Sequence, residues 1–131
     1  VLSVDADTIR LFLHVIAATV WVGGQLTLAA LVPALRGYEG VVKVAARRYN
    51  QVAWPAFGVL VATGIWNIAA IPHQSHAFKV TLQVKLVIVV LSGVAALIHL
   101  RVKDRRQMAI WGGISGLSAL AATFVGVMLA Q

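Results

Sequence analysis

The stretch IRLFLHVIAATVWVGGQLTLAAL, Ile9–Leu31, decides the fold. At about 1.5 Å of rise per residue it is long enough, as a helix, to cross about 30 Å of hydrocarbon. It also carries an imidazole, His14, at membrane depth. An ionisable group in that position costs roughly 3 kcal/mol or more unless it finds a partner, so it is a functional-site candidate by default.

Three further apolar runs follow, Val52–Ile71, Val80–Leu100 and Ala109–Ala130. With 60% hydrophobic and 11% charged residues the chain lies far from soluble composition. The expectation is an all-α polytopic membrane four-helix bundle, one domain over residues 1–131. The first run is full span length and follows the acidic segment Asp5–Asp7, so it reads as a retained span rather than a cleavable signal.

The net charge of +7 is concentrated in two segments, Arg36, Lys43, Arg47 and Arg48 after the first run and Arg101, Lys103, Arg105 and Arg106 after the third. Alternation of basic and non-basic loops is a topology signal, not a nucleic-acid footprint. It predicts basic loops in the cytoplasm and both termini outside the inner membrane. The same residues can touch anionic lipid headgroups. Cysteine is absent, which excludes disulfides and thiolate ligands. Any metal would be held by imidazole, thioether or oxygen.

Counting rise from the outer end of each span puts His14 and Lys85 both roughly 9 Å below the outer surface, and separates His14 from His99 by something on the order of 20 Å. His14 and His99 therefore cannot ligate one iron. At 100° per residue Arg10, His14, Trp21 and Gln25 share a stripe of the first helix, and Lys85, Ser92 and His99 recur every seventh residue on the third. Polar stripes turn away from lipid, so the first and third helices are expected to face each other or to line one cavity.

On the fourth span Gly112, Gly116, Ser118, Ala122 and Gly126 are spaced for close helix contact, as are Gly23–Gly24 on the first and Gly58 with Ala62 on the second. Pro55 is expected to start or kink the second helix, and Gly40–Gln51 to form an interfacial helix leading into it.

His14 is the leading ligand candidate, because a neutral imidazole can hold a transition metal or haem iron; the alternative is a structural hydrogen bond to another helix. Lys85 could be the counter-charge of a haem propionate or an anionic substrate, or could snorkel to the headgroups. Trp21 could wall a planar ligand, with Gln25 on the same face. His73 and His76 in the outer loop Pro72–Phe78, together with His14 and Met128, offer nitrogen and thioether donors suited to copper. His99 beside Arg101 reads as an interfacial residue or as the ligand of a second cofactor.

The string Leu13-His14-Val-Ile-Ala-Ala-Thr-Val-Trp21-Val-Gly23-Gly24 closely resembles the first helix of the copper resistance D family of small bacterial membrane proteins. Ala46-Arg47-Arg48-Tyr49, Ala62-Thr63-Gly64 and Leu82-Gln-Val-Lys85-Leu86 fit the same pattern, so the likeness spans about three of the four helices. It implies a periplasm-facing four-helix module connected with copper handling. The chain is also similar to the J-type protoporphyrinogen oxidases at His14, Trp21, Pro55 and Lys85, which implies an axial histidine and a bound haem. It departs from them in having Ser92–Ala95 where a mid-helix histidine would stand, and Glu39 after Tyr38 where a histidine would suit.

The leading expectation is a non-enzymatic membrane protein holding copper or b-type haem in its outer half, with His14 as principal ligand. Two others stand beside it. One is an accessory subunit of a larger respiratory or transport complex, or a homo-oligomer; the other is a haem-dependent porphyrinogen oxidase.

Overall fold

A computed structural model describes residues Val1–Gln131. The chain is all-helical, with four helices long and apolar enough to cross a membrane: α1 (Ala6–Leu35), α2 (Val41–Ala70), α3 (His76–Arg101) and α4 (Arg105–Leu129). Each runs beyond the apolar stretch that signalled it, because polar ends extend it past the hydrocarbon-length segment. α1 begins at a capping box, in which the Thr8 amide donates to Asp5 Oδ1 at 2.8 Å and the Asp5 amide faces Thr8 Oγ1 at 3.5 Å. Ser75 caps α3 by accepting from the Phe78 amide, and Asp104 caps α4 by accepting from the Gln107 amide.

Two expectations change here. The basic segment after Gly40 is no separate interfacial helix. Gly40, with φ of +76°, turns the chain, and one unbroken helix then runs from Val41 through Pro55 to Ala70. Its amphipathic start and its span are thus a single rod. Likewise His76 belongs to the first turn of α3 rather than to a loop, which leaves His73 in the short connection.

α1 is interrupted once. Ala6–Ala18 is α-helical, Thr19–Gly23 is a π-helical turn, and Gly24–Leu35 is α-helical again. Such turns insert one residue into the helical repeat and are frequent at functional sites.

The chain forms two compact units, Val1–Pro72 and His73–Gln131, each a helical hairpin. Inside them the usual size rule of a soluble core is reversed. The buried residues are mostly small, namely Ala17, Ala53, Ala95, Ala119 and Ala122 with Thr63, Ser92, Ser115 and Ser118, whereas Phe12, Val87, Leu117 and Phe124 are 63–70% exposed. In water that surface would be an aggregation hazard. In lipid it is the expected solution, since tails solvate large apolar groups and only close backbone approach favours helix association. The arrangement suits a multi-pass membrane protein.

In the second hairpin the close approach is fixed by a reciprocal pair. Ser92 Oγ donates to the Ser115 carbonyl and Ser115 Oγ donates to the Ser92 carbonyl, both at 2.9 Å. The contact stripe on α4 runs through Gly112, Ser115, Ser118, Ala119, Ala122 and Gly126. Gly58 and Ala62, expected to pack, are exposed instead.

Candidate functional site

The polar stripe of α1 is matched group by group along α2. Near the N-terminus of α1 Arg10, only 8% exposed, donates from Nε to Asn67 Oδ1 and from Nη1 to Asp7 Oδ1, each at 2.6 Å. One turn further in, His14 Nδ1 lies 2.9 Å from Thr63 Oγ1. Beyond that, the buried Trp21 ring packs on Trp54 and Phe57 with centroids 5.3 and 4.5 Å away. Asn67 and Thr63 are four residues apart, as are Arg10 and His14, so an antiparallel pair of helices brings them together in register.

The hydrogen-bond inventory sets the histidine tautomer. Thr63 Oγ1 also lies 2.7 Å from the Val59 carbonyl and 3.2 Å from that of Leu60, and a carbonyl can only accept. The single hydroxyl proton is therefore directed at the helix backbone, and the oxygen accepts from His14 Nδ1–H. In the neutral imidazole this puts the lone pair on Nε2, the arrangement that an Nδ1 donor bond gives to a metal-ligating histidine. His14 itself is half-buried. Beside its ring lies Gly64, where an added Cβ would sit 3.8 Å from His14 Cε1 and meet nothing else. A Cβ there would make only an ordinary van der Waals contact with the ring.

The π turn is held from α2 as well. Tyr49 donates its hydroxyl to the Trp21 carbonyl at 3.0 Å, and its ring lies so close to Gly24 that a Cβ there would run into Tyr49 Cε2. An irregular turn leaves a backbone carbonyl short of its helical partner, and an unsatisfied carbonyl is costly in an apolar surround. Tyr49 bonds the carbonyl of Trp21 within this turn and so ties α2 to the irregularity. Gly24 was read as a packing residue in general; its particular partner is Tyr49. Gln25 lies half-buried one residue further on.

The second hairpin takes the remaining candidates. All three residues of the α3 stripe contact α4, whereas the sequence reading looked to the first helix for them. The Lys85 ammonium lies against Gly126, where an added Cβ would be 3.1 Å from Nζ. Ser92 joins Ser115, and His99 Nδ1 donates to the Met108 carbonyl at 2.6 Å beside Gly112. His73 and His76 are exposed near the start of this unit, and Met128 is 51% exposed near its end. No three His, Cys, Asp or Glu side chains anywhere in the chain are grouped so as to hold a metal ion.

No family model matches the chain, and neither a curated protein nor a solved structure is significantly similar to it. Asn67, Thr63, Tyr49 and Ser115 were missed as partners. The signal for the first two was present, a polar pair on α2 spaced like Arg10 and His14.

Proposed function

We propose that this is a multi-pass inner-membrane protein with both termini outside, which binds a b-type haem through His14 and serves a non-enzymatic redox role connected with copper handling. The observation that carries the reading is the hydrogen bond between His14 Nδ1 and Thr63 Oγ1, which orients the imidazole. A single oriented imidazole fits an axial haem position, which needs one protein ligand on a face. The donor chemistry fits a copper ion less well, since no cluster of three nitrogen or oxygen ligands of the usual types exists. Haem supplies one-electron chemistry when bound. The protein residues would present the imidazole and keep its Nδ1 proton in place, whereas Trp21 is packed against Trp54 and Phe57. The link to copper rests on the His14–Gly24 string and its resemblance to the copper resistance D family.

The test is an absorption spectrum and metal analysis of the intact protein purified in detergent. A Soret band that disappears in His14→Ala, with the variant still folded by circular dichroism, is the expected result. Stoichiometric copper without a Soret band would replace haem by metal handling. Neither cofactor, together with copurification of a larger assembly, would favour the accessory-subunit reading. Turnover of protoporphyrinogen by the haem-loaded protein would make it an oxidase.

A further inference from the structure

The second hairpin gathers positive charge at the end where its two helices are joined. Arg101 is the last residue of α3, Arg105 and Arg106 open α4, and Lys103 lies in the connection between them. All four side chains are exposed, and none makes a hydrogen bond or ion pair within the chain. The one acidic side chain of this unit, Asp104, is engaged in capping α4, where it accepts from the Gln107 amide at 3.2 Å. Four cations without a counter-charge call for an anion from outside the hairpin. From Arg101 an apolar stripe leads back along α3. Val94, Leu97, Ile98 and Arg101 line an open groove of about 320 Å³, and Val87 and Val90 continue the same face at helical spacing. Val87, Val90, Val94 and Leu97 are 45–69% exposed, whereas the buried residues of this stretch are Ser92, Gly93 and Ala95.

Length and charge together say what occupies this face. Along the helix axis Val87 and Leu97 are about 15 Å apart, and Val87 and Arg101 about 21 Å. One bilayer leaflet provides about 15 Å of hydrocarbon and about 20 Å to its headgroups. An acyl chain laid along the stripe therefore brings its phosphate to Arg101, whose planar fork can hold two phosphate oxygens while Lys103, Arg105 and Arg106 add charge at the same end. We infer that α3 and the α3–α4 connection bind one anionic phospholipid, with an acyl chain in the groove at Val94, Leu97 and Ile98 and the phosphate on Arg101. A zwitterionic lipid fits less well, because its own cationic group meets the same cluster. A second copy packed on this face in the same orientation would set two basic clusters side by side, where like charges repel. The site is independent of any ligand at His14.

The test is native mass spectrometry of the full chain, delipidated in detergent and titrated with phosphatidylglycerol or phosphatidylcholine of identical acyl chains. The first phosphatidylglycerol should bind about tenfold more tightly than the first phosphatidylcholine, the order expected where several basic residues meet one anionic headgroup. Arg101→Gln should reduce that preference several-fold, and adding Lys103→Gln, Arg105→Gln and Arg106→Gln should abolish it. Val94→Trp alters no charge but fills the groove, and should weaken both lipids alike, so that headgroup and acyl contacts are read separately. All of these positions are exposed, and circular dichroism in the same detergent checks that each variant keeps its helices. Equal affinity for the two lipids, or an unchanged preference in Arg101→Gln, would overturn the inference. Phosphatidylglycerol binding that Val94→Trp leaves intact would overturn it too, by reducing the site to diffuse attraction between charges. A dimer that Val94→Trp dissociates, in place of bound lipid, would assign the face to a second copy.

Discussion

Across the first helix pair a guanidinium meets an amide, an imidazole meets a hydroxyl, and three aromatic rings meet one another. Across the second, two serines exchange hydrogen bonds with each other's backbones, and a lysine and a histidine lie close to glycines. Both are antiparallel hairpins of long apolar helices, and both bury alanine at their centres. They differ in what the interface can be used for. Small residues and hydroxyls bonded to backbone give tight, chemically quiet contact. Ring, amide and charged groups bring larger and more polar surfaces into the first contact. On the proposed reading the chemistry lies in Val1–Pro72, while the contact between α3 and α4 in His73–Gln131 is built mainly from small residues.

The largest effect should come from overfilling the quiet interface. Ser92→Leu would replace a 1% exposed side chain, insert two extra heavy atoms between α3 and α4, and remove the hydrogen bond that Ser92 Oγ donates to the Ser115 carbonyl. Overpacking and the lost bond together should destabilise by about 3 kcal/mol. Denaturation in mixed micelles would measure this. The comparison predicts that the protein which remains folded keeps its full His14-dependent Soret band, and a proportional loss of the band would show that the two halves do not divide the work as described.

Next is the π turn. Gly24→Ala drives a methyl into the Tyr49 ring, and overpacking of this kind costs about 1–3 kcal/mol. Tyr49→Phe keeps the ring but removes the hydroxyl bond to the Trp21 carbonyl, and a hydrogen bond in a membrane interface averages about 0.6 kcal/mol. Combining Gly24→Ala with Tyr49→Ala should cost less than the two single changes added together, because the small side chain vacates the space that the new methyl needs. Additive costs would mean that the two residues do not constrain the same turn.

Thr63→Val tests the tautomer at nearly constant shape. The His14 Nδ1 proton would lose its acceptor, at a stability cost of about 1–2 kcal/mol. If the haem reading holds, the imidazole becomes a weaker donor, and the bound haem should persist with a shifted Soret band and a raised reduction potential. An unaltered potential would make the threonine contact incidental.

How much of this could be read from sequence depends on the scale of the feature. The four spans were legible because each apolar run meets the length that hydrocarbon demands, and the polar stripes on the first and third helices followed from helical periodicity alone. Which helix each stripe faces was not legible. Stripe logic says that Lys85, Ser92 and His99 avoid lipid, but the small residues of α4 satisfy that condition as well as a polar helix would, and it is α4 that they contact. Depth singles out His14 as a ligand candidate, yet its orientation depends on a hydroxyl 49 positions away whose relevance appears only when α1 and α2 are set antiparallel. The π turn left no mark beyond Gly23–Gly24, since one inserted residue barely shifts the hydrophobic pattern. The continuity of Val41–Ala70 was hidden by Pro55, which in a membrane helix is tolerated where it would be read as a break in a soluble one.

The smallest expected effect is at the N-terminal end of the first hairpin, where Asp5 closes the capping box that starts α1. Its carboxyl is held below the ordinary carboxylate range, chiefly by the hydrogen bond from the Thr8 side chain and then by that from the Thr8 amide. A group whose acidity is strengthened by folding stabilises the fold above its unfolded value, and that contribution fades as pH falls through the depressed one. The cap should therefore be fully formed at neutral pH and loosen only below about pH 4, the ordinary carboxylate region. Amide exchange at Thr8 reports this directly: protection lost on acidification and absent at every pH in Asp5→Ala is the expected pattern. Because Asp5 lies one turn before Arg10 and the helix frays from that end, the same acidification should loosen the Arg10–Asp7 pair before it reaches His14–Thr63, and should leave the serine pair of the second hairpin unchanged. Simultaneous loss of protection at Ser92 would remove the distinction between the two hairpins.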